Sequence, residues 1–225
     1  MTINKLPLIR LPATANKTAT FSLITLFALL PTLAFAHPGH EILASEGSFL
    51  SSVLSGLMHP LTGLDHLMLA LGMGVLFTQM NRFKKGLVSL SIGLMAGFAL
   101  SLSFNLNNLY IEGGIILSII LLTAALMSRH FNPALTESSS TSVNKSYNLA
   151  IMGFGALTMF HGAAHALEVP ANSITTGFFI GMIVSMVALY SVGNVIAKYL
   201  STHVQNSLIV QRLLAVVGLC AVLIR

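Results

Sequence analysis

Apolar residues dominate six stretches of this chain, and 14 of its 17 charged residues lie outside them. The stretches cover residues 62–78, 87–104, 111–127, 149–167, 174–197 and 208–224. Each is close to the roughly 20 residues with which an α-helix crosses the hydrocarbon core of a bilayer. The pattern therefore predicts an all-α fold, a polytopic transmembrane helical bundle with about six spans.

The first 36 residues have the features of an export signal. Three basic residues and an apolar run over residues 19–30 precede the small-residue pattern Ala34-Phe35-Ala36. We therefore predict a cleavable signal peptide over residues 1–36. The alternative is an uncleaved first transmembrane helix, although the run is shorter than the roughly 20 residues of a span.

Residues 37–225 are predicted to form a single transmembrane domain. Lys and Arg follow the first, third and fifth apolar stretches, whereas the connections after the second and fourth contain neither. Basic residues in short loops stay in the cytoplasm, so we expect a bacterial inner-membrane protein whose mature N-terminus is periplasmic. By the same rule, a Ser/Thr-rich loop near residues 129–147 is cytoplasmic.

The composition supports a membrane protein and limits the chemistry of any site. Hydrophobic residues make up 55% of the chain and charged residues 8%, against about one-quarter charged in soluble domains, and the mean hydropathy is +0.85. The lipid bilayer is thus the expected environment. The net charge of +5 does not imply a nucleic-acid partner, because three of the eleven basic residues lie in the leader. With a single cysteine, Cys220, a metal site within one chain must use His, Asp, Glu or backbone oxygen.

The first polar motif inside the apolar stretches is HPLTGLDH, which contains His59, Asp65 and His66. Ionisable side chains are costly in hydrocarbon, so they mark candidate functional sites. Pro60 and Gly63 disfavour a continuous helix, and we therefore expect a broken turn that brings His59 back toward the other two. Such irregular backbone is tolerated at that depth only when it is buried in protein or lines a watery cavity.

The second motif is FHGAAHALE, at the end of the fourth stretch, and it contains His161, His165 and Glu168. At helical spacings of four and seven residues, these side chains share one face. The first span begins outside and the fourth ends outside, so the two motifs are predicted to meet in the outer half of the bundle.

Three further residues are candidate ligands on the same side. Glu112 begins the third stretch, and cleavage after residue 36 would place His37 and His40 at the mature N-terminus. A solvated leader without a metal role is the alternative for these two histidines.

Imidazoles and carboxylates without thiolates suit nickel, cobalt, zinc or iron(II). In the alternative interpretation, the motif histidines cap helix ends or form hydrogen bonds between helices.

At HPLTGLDH and FHGAAHALE the chain resembles the HupE/UreJ family of small membrane permeases for nickel and cobalt. The resemblance extends over essentially the whole chain and includes a leader, a histidine-rich mature start and about six spans. It implies that the six motif residues handle the metal and that an acidic residue in a middle span takes part, for which Glu112 is the candidate. Ala166 stands where the second motif of the family usually has glycine.

The resemblance implies a permease that imports Ni²⁺ or Co²⁺ from periplasm to cytoplasm as a transported ligand, with no prosthetic group and no enzymatic activity. The chain has no phosphate-binding loop of the kind that forms an ATP-binding motif. One alternative is an intramembrane metal-dependent hydrolase with Glu168 as general base. Another is a metal sensor without conduction, and the oligomeric state, a homo-oligomer included, stays open.

Overall fold

A computed structural model of the chain describes residues 47–104, 106–128, 141–203 and 215–216. Within these residues there are six helices and no strand. They are α1 (Phe49–Thr62), α2 (Leu64–Gln79), α3 (Phe83–Ser103), α4 (Asn108–Met127), α5 (Thr141–Leu167) and α6 (Thr175–His203). The predicted all-α class is confirmed. The predicted signal peptide lies outside the described residues, and so does the predicted last span except for residues 215 and 216.

Several of the described helices are suited to crossing a membrane. Helices α3, α4, α5 and α6 are each long and apolar enough, and α1 with α2 makes a fifth candidate if the two are one broken span. The chain is thus a multi-pass membrane protein.

Helix α2 lies in the interior of the bundle. It contacts α1, α3, α4 and α6, and every residue from His66 to Phe77 is buried. A helix that is apolar on all sides belongs inside a protein rather than at its surface. The neighbouring helices therefore separate α2 from lipid, and its first turn carries His66 into the interior.

The chain turns by 80° between α1 and α2. Gly63 alone separates the two helices, in an extended conformation with φ −93° and ψ 119°. The expected break is therefore found at Gly63, but the expectation that Pro60 also interrupts the helix is wrong, because α1 continues through it to Thr62. Near the end of α1, the Thr62 hydroxyl donates to the His59 carbonyl at 2.8 Å, and such a bond can satisfy a carbonyl that the end of a helix leaves without a backbone partner.

The predicted loop near residues 129–147 is wrong at its C-terminal end, because α5 begins at Thr141. Residues 129–140 lie outside the described part of the chain. Ser and Thr are favoured both in loops and at helix N-termini, so a Ser/Thr-rich composition does not locate the boundary between the two.

Glycines allow two pairs of helices to approach at backbone distance. Gly93 and Gly97 of α3 lie against the carbonyls of Gly155 and Met159 on α5. Gly177 and Gly181 of α6 lie in the same way against the carbonyls of Phe49 and Val53 on α1. In both pairs the glycines are four residues apart, a spacing of small residues that suits close helix contact in membranes.

The contact at Gly97 is testable through stability. A Cβ at Gly97 would collide with the Met159 carbonyl, whereas a Cβ at Gly153 on α5 would meet nothing within 4 Å. We expect Gly97→Ala to cost about 1–3 kcal/mol through overpacking and to lower the midpoint of thermal unfolding in detergent. The matched control Gly153→Ala should leave the midpoint unchanged or raise it, because alanine favours helix. Equal midpoints for the two variants would contradict the backbone contact.

Candidate metal centre

Four ionisable side chains converge at one end of the bundle. His59 comes from the end of α1, His66 from the start of α2, His165 from the last turn of α5, and Glu168 directly follows α5. Each offers one ligand atom, and these atoms lie within 4.8 Å of one another. We call these four residues the metal centre. With bonds of about 2.1 Å, two ligands on opposite sides of a metal lie about 4.2 Å apart, so a bound ion requires only small movements of the side chains.

Glu168 connects two of the histidines. Its Oε2 lies 3.0 Å from Nε2 of His59 and 3.4 Å from Nδ1 of His165. The side chains of Glu168 and His59 are 44% and 28% exposed, whereas that of His165 is 0% exposed. Glu168 and His59 therefore form the mouth of the centre, and His165 lies behind them.

The electrostatic environment keeps Glu168 ionised. Burial by itself raises the pKa of the Glu168 carboxyl, but its hydrogen bonds with His165 and His59 outweigh burial and bring that pKa below its ordinary value. A carboxyl group with a lowered pKa is deprotonated at neutral pH. The centre thus combines one anionic oxygen ligand with three imidazoles.

Asp65 lies beside His66 and is not one of the four residues of the centre. Its Oδ1 is 2.9 Å from Nδ1 of the His66 ring and also accepts from the His66 backbone N–H at 3.0 Å. A histidine that ligates a metal commonly donates its other ring N–H to a carboxylate, which orients the ring. The 2.9 Å separation places Asp65 close enough to influence the orientation of the His66 ring.

His161 also lies outside the metal centre. It is 0% exposed, and its ring centroid is 5.7 Å from that of His66. The His66 ring also lies near those of His165 and His59, at centroid distances of 4.4 Å and 5.6 Å. The two histidines of the second motif therefore differ in position. His165 belongs to the metal centre, whereas His161 lies next to it, beside His66.

Among the described residues, Glu112 is a candidate ligand that does not join the group of four. Glu112 is half-buried in the first part of α4, whose Ile111 packs in one cluster with Ala163 of α5. Glu112 therefore lies at the same end of the bundle as the metal centre. His37 and His40 lie outside the described residues.

Phe178 is a neighbour of the centre that the sequence did not single out. Its ring lies tilted against that of His59, with the centroids 5.4 Å apart, and its backbone carbonyl contacts Gly56 of α1. An aromatic residue near the start of an apolar helix is common, so no local signal distinguishes this position.

Comparison with known proteins identifies relatives over most of the chain. A family model described as HupE / UreJ protein matches residues 25–224. Protein HupE of Rhizobium leguminosarum bv. viciae is 30% identical over 174 residues, which are 75% of this chain and 78% of that protein. No solved structure matches the chain.

Gly63 provides a test of the centre that leaves every ligand in place. Its backbone angles, φ −93° and ψ 119°, are open to alanine, but a Cβ there would collide with Nδ1 of His66 and lie 2.9 Å from Oδ1 of Asp65. Because the His66 ring would have to move, we expect Gly63→Ala to weaken binding of Ni²⁺ to the purified protein by about tenfold or more.

Isothermal titration calorimetry in detergent would measure this affinity, and thermal melts would show that the variant is folded. Gly113→Ala is the matched control, since a Cβ at Gly113 meets nothing within 4 Å. Unchanged affinity in Gly63→Ala would contradict His66 as a ligand.

Proposed function

This chain belongs to the HupE/UreJ family, and we propose that it imports Ni²⁺ or Co²⁺ from the periplasm to the cytoplasm. The observation that best supports this proposal is the convergence of His59, His66, His165 and Glu168 within 4.8 Å. These residues come from distant parts of the sequence, and they meet in a protein that otherwise has few ionisable groups among its spans.

The donor set agrees with this class of ion. Imidazole suits nickel, cobalt and zinc, whereas sites made only of oxygen suit magnesium or calcium. The family is associated with transport of nickel and cobalt, which narrows the choice to these two metals and fits a protein that is not an enzyme. The ion is thus the substrate, and no resident cofactor is part of the proposal.

Import requires that the ion exchange part of its water shell for protein ligands and then leave inward. Glu168 offers negative charge at the mouth, where the ion would arrive, and the histidines behind it replace water molecules. The membrane potential supplies a driving force without ATP, because two positive charges gain roughly 4.6 kcal/mol on moving across about 100 mV, negative inside.

The distribution of basic residues supports the proposed direction. All Lys and Arg residues that the structure describes lie at the end of the bundle opposite the metal centre, at Arg82, Lys84, Lys85, Lys145 and Lys198. Basic residues flanking short spans remain cytoplasmic. The metal centre would then face the periplasm of a bacterial inner membrane.

Uptake of radioactive nickel and cobalt by cells expressing the chain would test transport. We expect His165→Ala to reduce uptake by about tenfold or more, because it removes one of four ligands. His203→Ala, which changes a histidine at the far end of α6, is the control at matched surface expression. Stoichiometric binding of nickel by purified protein without accumulation of either metal in cells would contradict a permease.

Labelling of single cysteines would test the orientation. In a Cys220→Ser background, Asn172→Cys lies in the exposed α5–α6 connection beside the centre, and Lys84→Cys lies exposed at the opposite end. A maleimide that cannot cross the inner membrane should label Asn172→Cys in intact cells and Lys84→Cys only after that membrane is disrupted. The reverse pattern would contradict a periplasmic metal centre.

A further inference from the structure

His161 occupies a position deeper in the bundle than the metal centre. It precedes His165 by one helical turn on α5, which places it about 6 Å further from the mouth. Exposure falls along the same direction, from 44% at Glu168 and 28% at His59 to 0% at His161. The ionisable residues therefore follow a line from the surface into the interior.

His66 is the member of the metal centre whose ring lies beside that of His161. Its ring centroid is 4.4 Å from that of His165 and 5.7 Å from that of His161. Two imidazoles on one metal, with bonds of about 2.1 Å, place their centroids roughly 4.6–6.4 Å apart. The spacing of His66 and His161 is within this range, so the distance between the two rings is compatible with a shared ion.

We propose that His66 and His161 form a second, inner metal station, and that His66 is shared between it and the metal centre. This inference rests on the proposed transport function. An ion leaving the centre would keep its bond to His66 while it exchanges His59, His165 and Glu168 for His161. No step then requires the ion to regain its full water shell inside the bundle.

The inner station is suited to release. It offers two imidazoles where the metal centre offers three and a carboxylate, so it holds the ion less tightly. Conduction requires sites that are favourable enough to enter and weak enough to leave. Asp65, 2.9 Å from the His66 ring, lies close enough to offset part of the positive charge of the ion.

The surroundings of His161 agree with a dry passage. The next residue, Gly162, lies against the backbone of Leu94 on α3, and the adjacent Ala163 and Ala164 pack with Ile111 and Ile115 of α4. Helices on two sides therefore exclude lipid and bulk water from the ring. In such an environment, a ligand that stays bound during transfer matters more than it would in water.

Separate measurements of binding and uptake test the station. We expect His161→Ala and His161→Gln to bind Ni²⁺ at the metal centre with a Kd within about threefold of the unchanged protein, yet to lose about tenfold or more of its uptake rate. His165→Ala should weaken the Kd as well as the uptake. Kd values would come from calorimetry in detergent, and rates from radioactive nickel at matched surface expression, with His203→Ala as control.

Three outcomes would overturn the station. A loss of affinity in His161→Ala as large as that in His165→Ala would place His161 within the metal centre. Unchanged uptake in His161→Ala would show that no ion requires this side chain. Uptake restored in His161→Gln, which keeps the volume and polarity of the side chain, would show that His161 only packs the helices. Absence of nickel uptake by the unchanged chain, in contrast, would contradict the proposed function itself.

Discussion

At Gly63 the chain turns by 80° between two helices, and the turn places the ring centroids of His59 and His66 5.6 Å apart. On one continuous helix the same two residues would be separated by about 10 Å along the axis. Such a turn at membrane depth requires burial within protein. Helix α2 meets this requirement because its neighbours surround it, and α1 is positioned by glycine contacts with α6.

Close contacts between carboxylates and imidazoles link the ionisable residues into one group. Asp65 contacts His66, and Glu168 contacts both His59 and His165. In an apolar interior each group would be costly alone, whereas paired groups compensate one another. Because these contacts already orient the side chains, an arriving ion would require little rearrangement of them. The contacts that stabilise the cluster therefore also prepare it to bind an ion.

The bundle combines close helix contacts at glycines with an asymmetric distribution of charge. The basic residues that the structure describes lie at one end, and the histidine and acidic cluster lies at the other. The two ends of the bundle thus differ in the charges that they attract.

The sequence by itself determined the helical membrane class, because the bilayer sets the length of an apolar span, and it identified both motifs, because ionisable residues are conspicuous there. Alternation of basic loops further predicted that the motifs share one end. Only the tertiary structure decided that α1 continues through Pro60, that Asp65 lies against the His66 ring, and that His161 lies beyond the group of four. Hydropathy indicates the length of each span, and residue spacing indicates which side chains share a helix face. Ring orientation and the gaps between ligands depend instead on contacts between residues far apart in the chain, such as Gly56 of α1 against Phe178 of α6.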